Sequence, residues 1–372
     1  MKPDTLAVHA ARGPDRETGA VAQPLYLSTT FERATDGSYP SGFQYGRNDN
    51  PNRRALEQAV AALDGANDSL AFASGSAAVL AAFSLLRPGD HLLVPSECYY
   101  GTLKQVGKVI EPLGIAVSRV ATWDLDEVRN ALRPQTRMIW VETPSNPLLR
   151  ISDLAGLATL ARTQGAWLAC DSTLAPPPVQ RPLELGADLV MHSSTKFLAG
   201  HSDVTGGLLS VREGGGELER LREYQAMMGA VPSPFDCWLT RRSLMTLQVR
   251  VRAQVAAAQA VAAFLAGQPS VEQVFYPGLA RHAGHAVAAR QMHGFGSMLS
   301  FTVPGGAPEA MRVAARVRLF TRATSLGSVE SLIEHRASIE GPGTTTPANL
   351  LRLSIGLEHA DDLIEDLREA LS

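Results

Sequence analysis

Six short apolar runs, 69–72, 91–95, 115–120, 138–141, 167–170 and 188–191, are separated by stretches whose apolar residues recur at helical spacing. A strand that returns through a helix lies parallel to the one before it, and the helices cover both faces of the resulting sheet. The alternation therefore predicts an α/β protein built on a mostly parallel sheet. Ligands of such sheets collect outside the carboxyl ends of the strands. Ser74-Gly75-Ser76 follows the first run, Tyr99 the second, Ser145-Asn146 the fourth, Asp171 the fifth and Ser193 to Lys196 the sixth. Five loops are thus expected to meet at one edge.

Residues 1–50, rich in Pro, Gly, Thr and Asn and without sustained period, read as an extended arm that contacts a neighbour. Asn52 is placed to cap a helix whose Leu56, Val60 and Leu63 share a face and which Gly65 stops. Residues 51–240 are expected to form the large domain. A long helical pattern over 235–266 leads into a smaller α/β domain, 241–372. Its expected parts are a strand at 271–276, a helix at 282–293, a strand at 297–303, a helix at 308–317, a strand at 350–355 and a closing helix from Asp361.

With 372 residues, 45% of them hydrophobic, the chain can bury a large core. Its 34 basic and 37 acidic residues create no net field for nucleic acid or an acidic membrane. Neither an apolar leader in Met1 to Glu17 nor a run of ~20 apolar residues is found, so a cytoplasmic location is expected. Cys98, Cys170 and Cys237 lack C-x-x-C spacing and read as reduced thiols. His282 and His285 share a helical spacing but have no acidic companion, so no metal site is expected. Gly294-Phe295-Gly296 and Gly341-Pro342-Gly343 lack the third glycine of a dinucleotide loop.

The chemistry concentrates on Asp171 and Lys196. A lysine that carries pyridoxal 5'-phosphate needs a carboxylate elsewhere to keep the pyridine nitrogen protonated, so that the ring accepts electrons. Ser193 and Thr195 precede the lysine and offer hydroxyls to a phosphate. Ser74-Gly75-Ser76 opens an apolar helix whose first amides can bind an anion, with Gly75 permitting close approach. Tyr45-Gly46-Arg47 adds a phenol and a guanidinium.

Together with Tyr99-Tyr100-Gly101-Thr102, Glu142-Thr143-Pro144-Ser145-Asn146-Pro147, Ser325-Leu326-Gly327 and Leu351-Arg352-Leu353-Ser354, these segments resemble the Cys/Met-metabolism, or trans-sulfuration, family of pyridoxal-phosphate enzymes. The resemblance implies an aspartate-aminotransferase-like subunit of fold type I. It implies a homodimer, or dimer of dimers, with shared active sites. On this likeness Lys196 holds the cofactor and Asp171 its ring nitrogen. Gly75, Ser76, Thr173, Ser193 and Thr195 bind it, and Tyr45 and Arg47 reach it from the neighbouring subunit. Tyr99 stacks on the ring and takes part in proton transfer, while Asn146, Ser325 and Arg352 bind substrate. The chain departs from the family's pattern at Ser76 (often Met), Tyr100 (Gly), Phe197 (Tyr) and Ala199 (Asn). It also has Gly101 where methionine γ-lyases often have Cys. Thr324 stands where cystathionine γ-synthases and γ-lyases commonly have Glu, and Glu334-His335-Arg336-Ala337-Ser338 replaces a more usual Thr-His-Ala-Ser. The expected activity is carbon–sulfur cleavage of cystathionine or a related thioether by β- or γ-elimination. γ-Replacement on an O-acyl-homoserine, methionine γ-lyase activity and a non-catalytic cofactor-binding role remain as alternatives.

Overall fold

Met138, Ile139, Trp140 and Val141 are all fully buried, which explains why this run is continuously apolar rather than alternating. It belongs to a sheet of β1 (Asp68–Phe72), β2 (His91–Pro95), β3 (Ala116–Val120), β4 (Thr136–Glu142), β5 (Trp167–Asp171), β6 (Leu189–His192) and β7 (Gly207–Val211). The strand order is β1-β7-β6-β5-β4-β2-β3. The structure is a computed structural model and describes residues 1–341 and 344–372, so the Gly341-Pro342-Gly343 reading falls partly outside the described residues.

Strand β7 escapes a sequence reading because its apolar stretch is short and glycine-flanked. It runs antiparallel to both β6 and β1. Reversing once on each side, it leaves β1 pointing the same way as β6, so the loop after β1 opens on the same edge as the other strand ends.

A second sheet contains β8 (Gln273–Phe275), β9 (Met298–Thr302), β10 (Thr321–Arg322), β11 (Leu332–His335) and β12 (Leu350–Ser354), in the order β10-β11-β12-β9-β8. Only the β10–β11 pair is parallel among these described strands. The charged Glu334 hides β11 in the sequence, yet it is buried opposite Arg352 in the β11–β12 register.

Three local expectations change. The cap of the helix Pro51–Asp64 is Asn50, whose side chain accepts from the amides of Asn52 and Arg53, with Pro51 in the first turn. Asn52 instead accepts from the Tyr26 amide at 2.8 Å and donates to the Pro24 carbonyl at 2.9 Å, tying the arm down. The arm is also less extended than its composition suggests, since Pro3–His9 is helical and buries Ala7, and Ala10 just after it is also in the core. The pattern over 235–266 divides into the helices Pro234–Leu244 and Leu247–Ala266. The latter is long and apolar enough to cross a membrane by length and composition, but Leu247, Val251, Ala258, Val261 and Leu265 are buried in the core around the second sheet.

Candidate active site

The carboxyl ends of β1, β2, β4, β5 and β6 border a cleft of about 270 Å³, closed on the far side by Thr324, Ser325, Leu326, Arg336 and Arg352. At the end of β1, Ser74 caps the helix Gly75–Phe83 by accepting from the Ala77 amide at 3.1 Å. Helix geometry leaves the earlier amides, those of Gly75 and Ser76, without intrahelical acceptors. A Cβ on Gly75 would meet Ser193 Cβ at 3.0 Å and Ser193 Oγ at 3.1 Å, so a side chain there would fill the cradle between the helix start and the loop after β6.

Across that cradle a chain of hydrogen bonds fixes the ends of β5 and β6. The Thr173 amide donates to Asp171 Oδ1 at 3.0 Å, and the Ser193 amide donates to Thr173 Oγ1 at 2.9 Å. Thr195 Oγ1 donates to the Gly206 carbonyl at 3.2 Å and accepts from its amide at 3.0 Å. Asp171 is 6% exposed, and burial raises its carboxyl above the ordinary range against the opposing bonds from Thr173. Glu142 lies beside it in the β4–β5 register. Burial, then the nearby Asp171, pushes Glu142 well up. Its Oε2 accepts from the Tyr99 amide at 2.8 Å, fixing the loop that carries the two tyrosines. The Tyr99 and Tyr100 rings meet edge to face at 5.0 Å, and burial raises the Tyr99 phenol.

Lys196 Nζ donates to Ser325 Oγ at 2.7 Å. Its pKa falls to about 8, chiefly through burial and then through the Arg352 guanidinium, with Glu334 opposing. Ser325 has φ 95°, a conformation that costs a non-glycine residue of order 1–3 kcal/mol and clusters at functional sites. Gly327, at φ 78°, passes so close to Phe197 that a Cβ would lie 2.8 Å from the Phe197 amide nitrogen. The turn is thereby pressed onto the residue after the lysine. Arg352 donates to Asn146 Oδ1 at 3.0 Å and to the Ser325 carbonyl at 2.9 Å, and pairs with Glu334. Burial lowers its pKa to about 10.

The cleft therefore gathers Gly75, Ser76, Tyr99, Asn146, Asp171, Thr173, Ser193, Thr195, Lys196, Ser325 and Arg352. Tyr45 and Arg47 are not among its lining residues. Tyr45 is 45% exposed, and Arg47 lies 5.8 Å from the Tyr45 ring and donates to the Ala226 carbonyl. Sequence reasoning assigned no site role to Glu142, Glu334 or Arg336, whose only signal was a motif or a departure from one.

This donor set fits pyridoxal phosphate. A buried carboxylate with a raised pKa and an amine with a pKa of about 8 stand in the same cleft, and a glycine cradle at a helix start adjoins the hydroxyls of Ser193 and Thr195. The chain is similar to the cystathionine γ-synthase of Mycobacterium tuberculosis, with 46% identity over 379 residues covering 99% of this chain and 96% of the relative. It is similar to the cystathionine β-lyase of Coxiella burnetii, with 41% identity covering 99% and 97%. It superposes on the crystal structure of metB from Corynebacterium glutamicum with TM-score 0.97 and 41% identity, covering 100% of this chain and 98% of that one. Residues 4–372 match the family described as Cys/Met metabolism PLP-dependent enzyme, and the chain, a pyridoxal-phosphate-dependent enzyme of sulfur amino-acid metabolism, belongs to it.

Proposed function

We propose that the enzyme is a carbon–sulfur lyase that cleaves cystathionine or related thioether amino acids by β- or γ-elimination. The observation that carries this reading is the lowered amine of Lys196, held beside Ser325 in a cleft that also contains Asp171, Asn146 and Arg352. Bound in this cleft, pyridoxal phosphate supplies an electron sink for the pair left behind when the Cα–H bond breaks. Lys196 is its attachment point. Asp171 would hold the ring nitrogen's proton, and Ser193, Thr195 and the amides of Gly75 and Ser76 would bind the phosphate, with Thr173 supporting Asp171 and Ser193. Tyr99, which lines the same cleft, would adjoin the cofactor. Arg352 and Asn146 take the substrate carboxylate, aligning the Cα–H bond.

With substrate seated, the Lys196 amine is the base that would accept the α-proton. A base near pH 8 combines a usable neutral fraction with enough basicity. Loss of a β-substituent needs only that transfer. Loss of a γ-substituent requires a second proton to leave Cβ, so the Lys196 ammonium must first return the α-proton to the bound substrate and cofactor before the same Nζ, neutral again, can accept the second. Thr324 supports turnover of thioethers that lack a distal ammonium group, because the carboxylates lining the cleft among the described residues are Glu142 and Asp171, both at the strand edge. No anion there selects a distal ammonium group.

The 46% identity to relatives named cystathionine γ-synthase favours a second reading, γ-replacement that joins cysteine to an activated homoserine ester. Incubating purified holoenzyme with cystathionine, methionine and O-acyl-homoserines plus cysteine separates the two. A lyase releases ammonia and a 2-oxo acid from the thioether, whereas a synthase keeps the amine in its product. Absence of ammonia release from every thioether contradicts the lyase reading.

We also infer a cytoplasmic homo-oligomer in which Tyr45 and Arg47 complete the neighbouring subunit's phosphate site. Their exclusion from their own cleft, and the exposure of Tyr45, support this assembly.

A further inference from the structure

We propose that Arg336 forms a subsite for a second carboxylate, one carried at the far end of the substrate's side chain. This rests on the thioether-lyase reading above and names the substrate class within it. Among the described residues, five charged side chains line the cleft: Glu142, Asp171, Lys196, Arg336 and Arg352. Glu142 fixes the Tyr99 loop, and the proposed reaction employs Asp171, Lys196 and Arg352. Arg336 is the charge left over.

It is 2% exposed, and a buried guanidinium needs partners. Arg336 Nη1 donates to Glu334 Oε2 at 3.2 Å, while Nε and Nη2 donate to Glu340 Oε1 at 3.2 and 3.0 Å. Those bonds engage three of the five N–H donors of a guanidinium. Glu340 is itself pinned through its other oxygen by the hydroxyls of Thr344 and Thr346. The group is thus locked in place before any substrate arrives, which lowers the ordering cost of recognition. Glu334 Oε2 also pairs with Arg352, so one carboxylate oxygen spaces two guanidiniums side by side. Arg352 lies toward Ser325 and Lys196, and Arg336 toward Tyr100, whose ring centroid is 5.5 Å from its central carbon.

A second cation reinforces that direction. Lys104 Nζ lies 4.6 Å from the centroid of the same Tyr100 ring. Lys104, Tyr100, Asn146 and Glu340 help to line an adjoining space of about 260 Å³, which shares Tyr100 and Asn146 with the main cleft. A side chain leaving the reacting carbon therefore meets a neutral Thr324, an aromatic wall, the cations of Arg336 and Lys104, and the carboxylates of Glu97 and Glu340, whose oxygens are already engaged, those of Glu97 by Ser145 and Arg150 and those of Glu340 by Arg336, Thr344 and Thr346. Charge complementarity selects an anion over a neutral end group there.

The test compares S-(2-carboxyethyl)-L-cysteine with S-propyl-L-cysteine, and the corresponding homocysteine pair, on the holoenzyme. The members of each pair differ in their terminal carboxylate and methyl. The native enzyme should favour the carboxylate by about tenfold or more in kcat/KM. Arg336→Met should bring that ratio toward one, and Arg336→Lys should restore part of it. A native ratio near one overturns the subsite without recourse to any variant. Equal losses on both members in Arg336→Met overturn it too, leaving Arg336 as a support for Arg352. Binding of L-2-aminoadipate against L-norleucine, followed by the absorbance of the bound cofactor, keeps the two readings apart. A preference for aminoadipate that Arg336→Met abolishes supports the subsite even if no thioether is cleaved, whereas equal binding counts against it even in an active lyase.

Discussion

The lowered pKa of Lys196 makes cofactor capture by the apoenzyme strongly dependent on pH, since only the neutral amine attacks an aldehyde. With the pKa at about 8, roughly one amine in ten is neutral at pH 7, against roughly one in 3,000 for a lysine at 10.5. The cleft thus provides roughly a 300-fold larger reactive fraction. Burial is the main cause, and two neighbours adjust it in opposite directions: the Arg352 cation lowers the value and the Glu334 anion raises it. Arg352→Gln should therefore move the midpoint of the capture rate to higher pH, while Glu334→Gln should move it lower. Stopped-flow absorbance of apoenzyme mixed with pyridoxal phosphate from pH 6.5 to 10 measures all three midpoints under the same cofactor titration. A native midpoint near 10.5, or a shift of both variants in one direction, refutes the electrostatic account of the cleft.

Thr324→Glu should shift the kcat/KM ratio toward cystathionine and away from methionine or S-alkyl-cysteines, roughly tenfold for a change of about 1.4 kcal/mol. An equal loss on both classes would assign the position to packing. Chains carrying Arg47→Ala, mixed with chains carrying Lys196→Ala, should regain activity in hybrid oligomers, because one site then receives both native groups. Verified hybrids without activity contradict the shared site. Asn50→Ala should lower stability by about 1 kcal/mol in urea unfolding through loss of the cap, whereas Asn52→Ala should act by loosening residues 24–26.

The parallel sheet was legible because buried parallel strands leave continuous apolar runs, and chemistry-bearing residues followed five of them. Strand β7 was not, since its few apolar residues sit among glycines and its place is set by pairing with β1 and β6. Strand β11 was concealed for a different reason: Glu334 reads as a surface residue until Arg352 and Arg336 are seen to neutralise it. The same nonlocal pairing hid Arg336 from the site. Lys196, Asp171 and Arg352 lie far apart in sequence, and their convergence was recovered by resemblance together with the strand-end rule. Cap position depends on backbone angles, which is why Asn50 rather than Asn52 starts its helix.

Borohydride reduction of the holoenzyme, followed by digestion and peptide mapping, tests the attachment at the centre of this account. The pyridoxyl group should be found on Lys196 and be absent from a Lys196→Ala chain. A label on Lys104, whose amine lies beside Tyr100, or on Lys108 would contradict it.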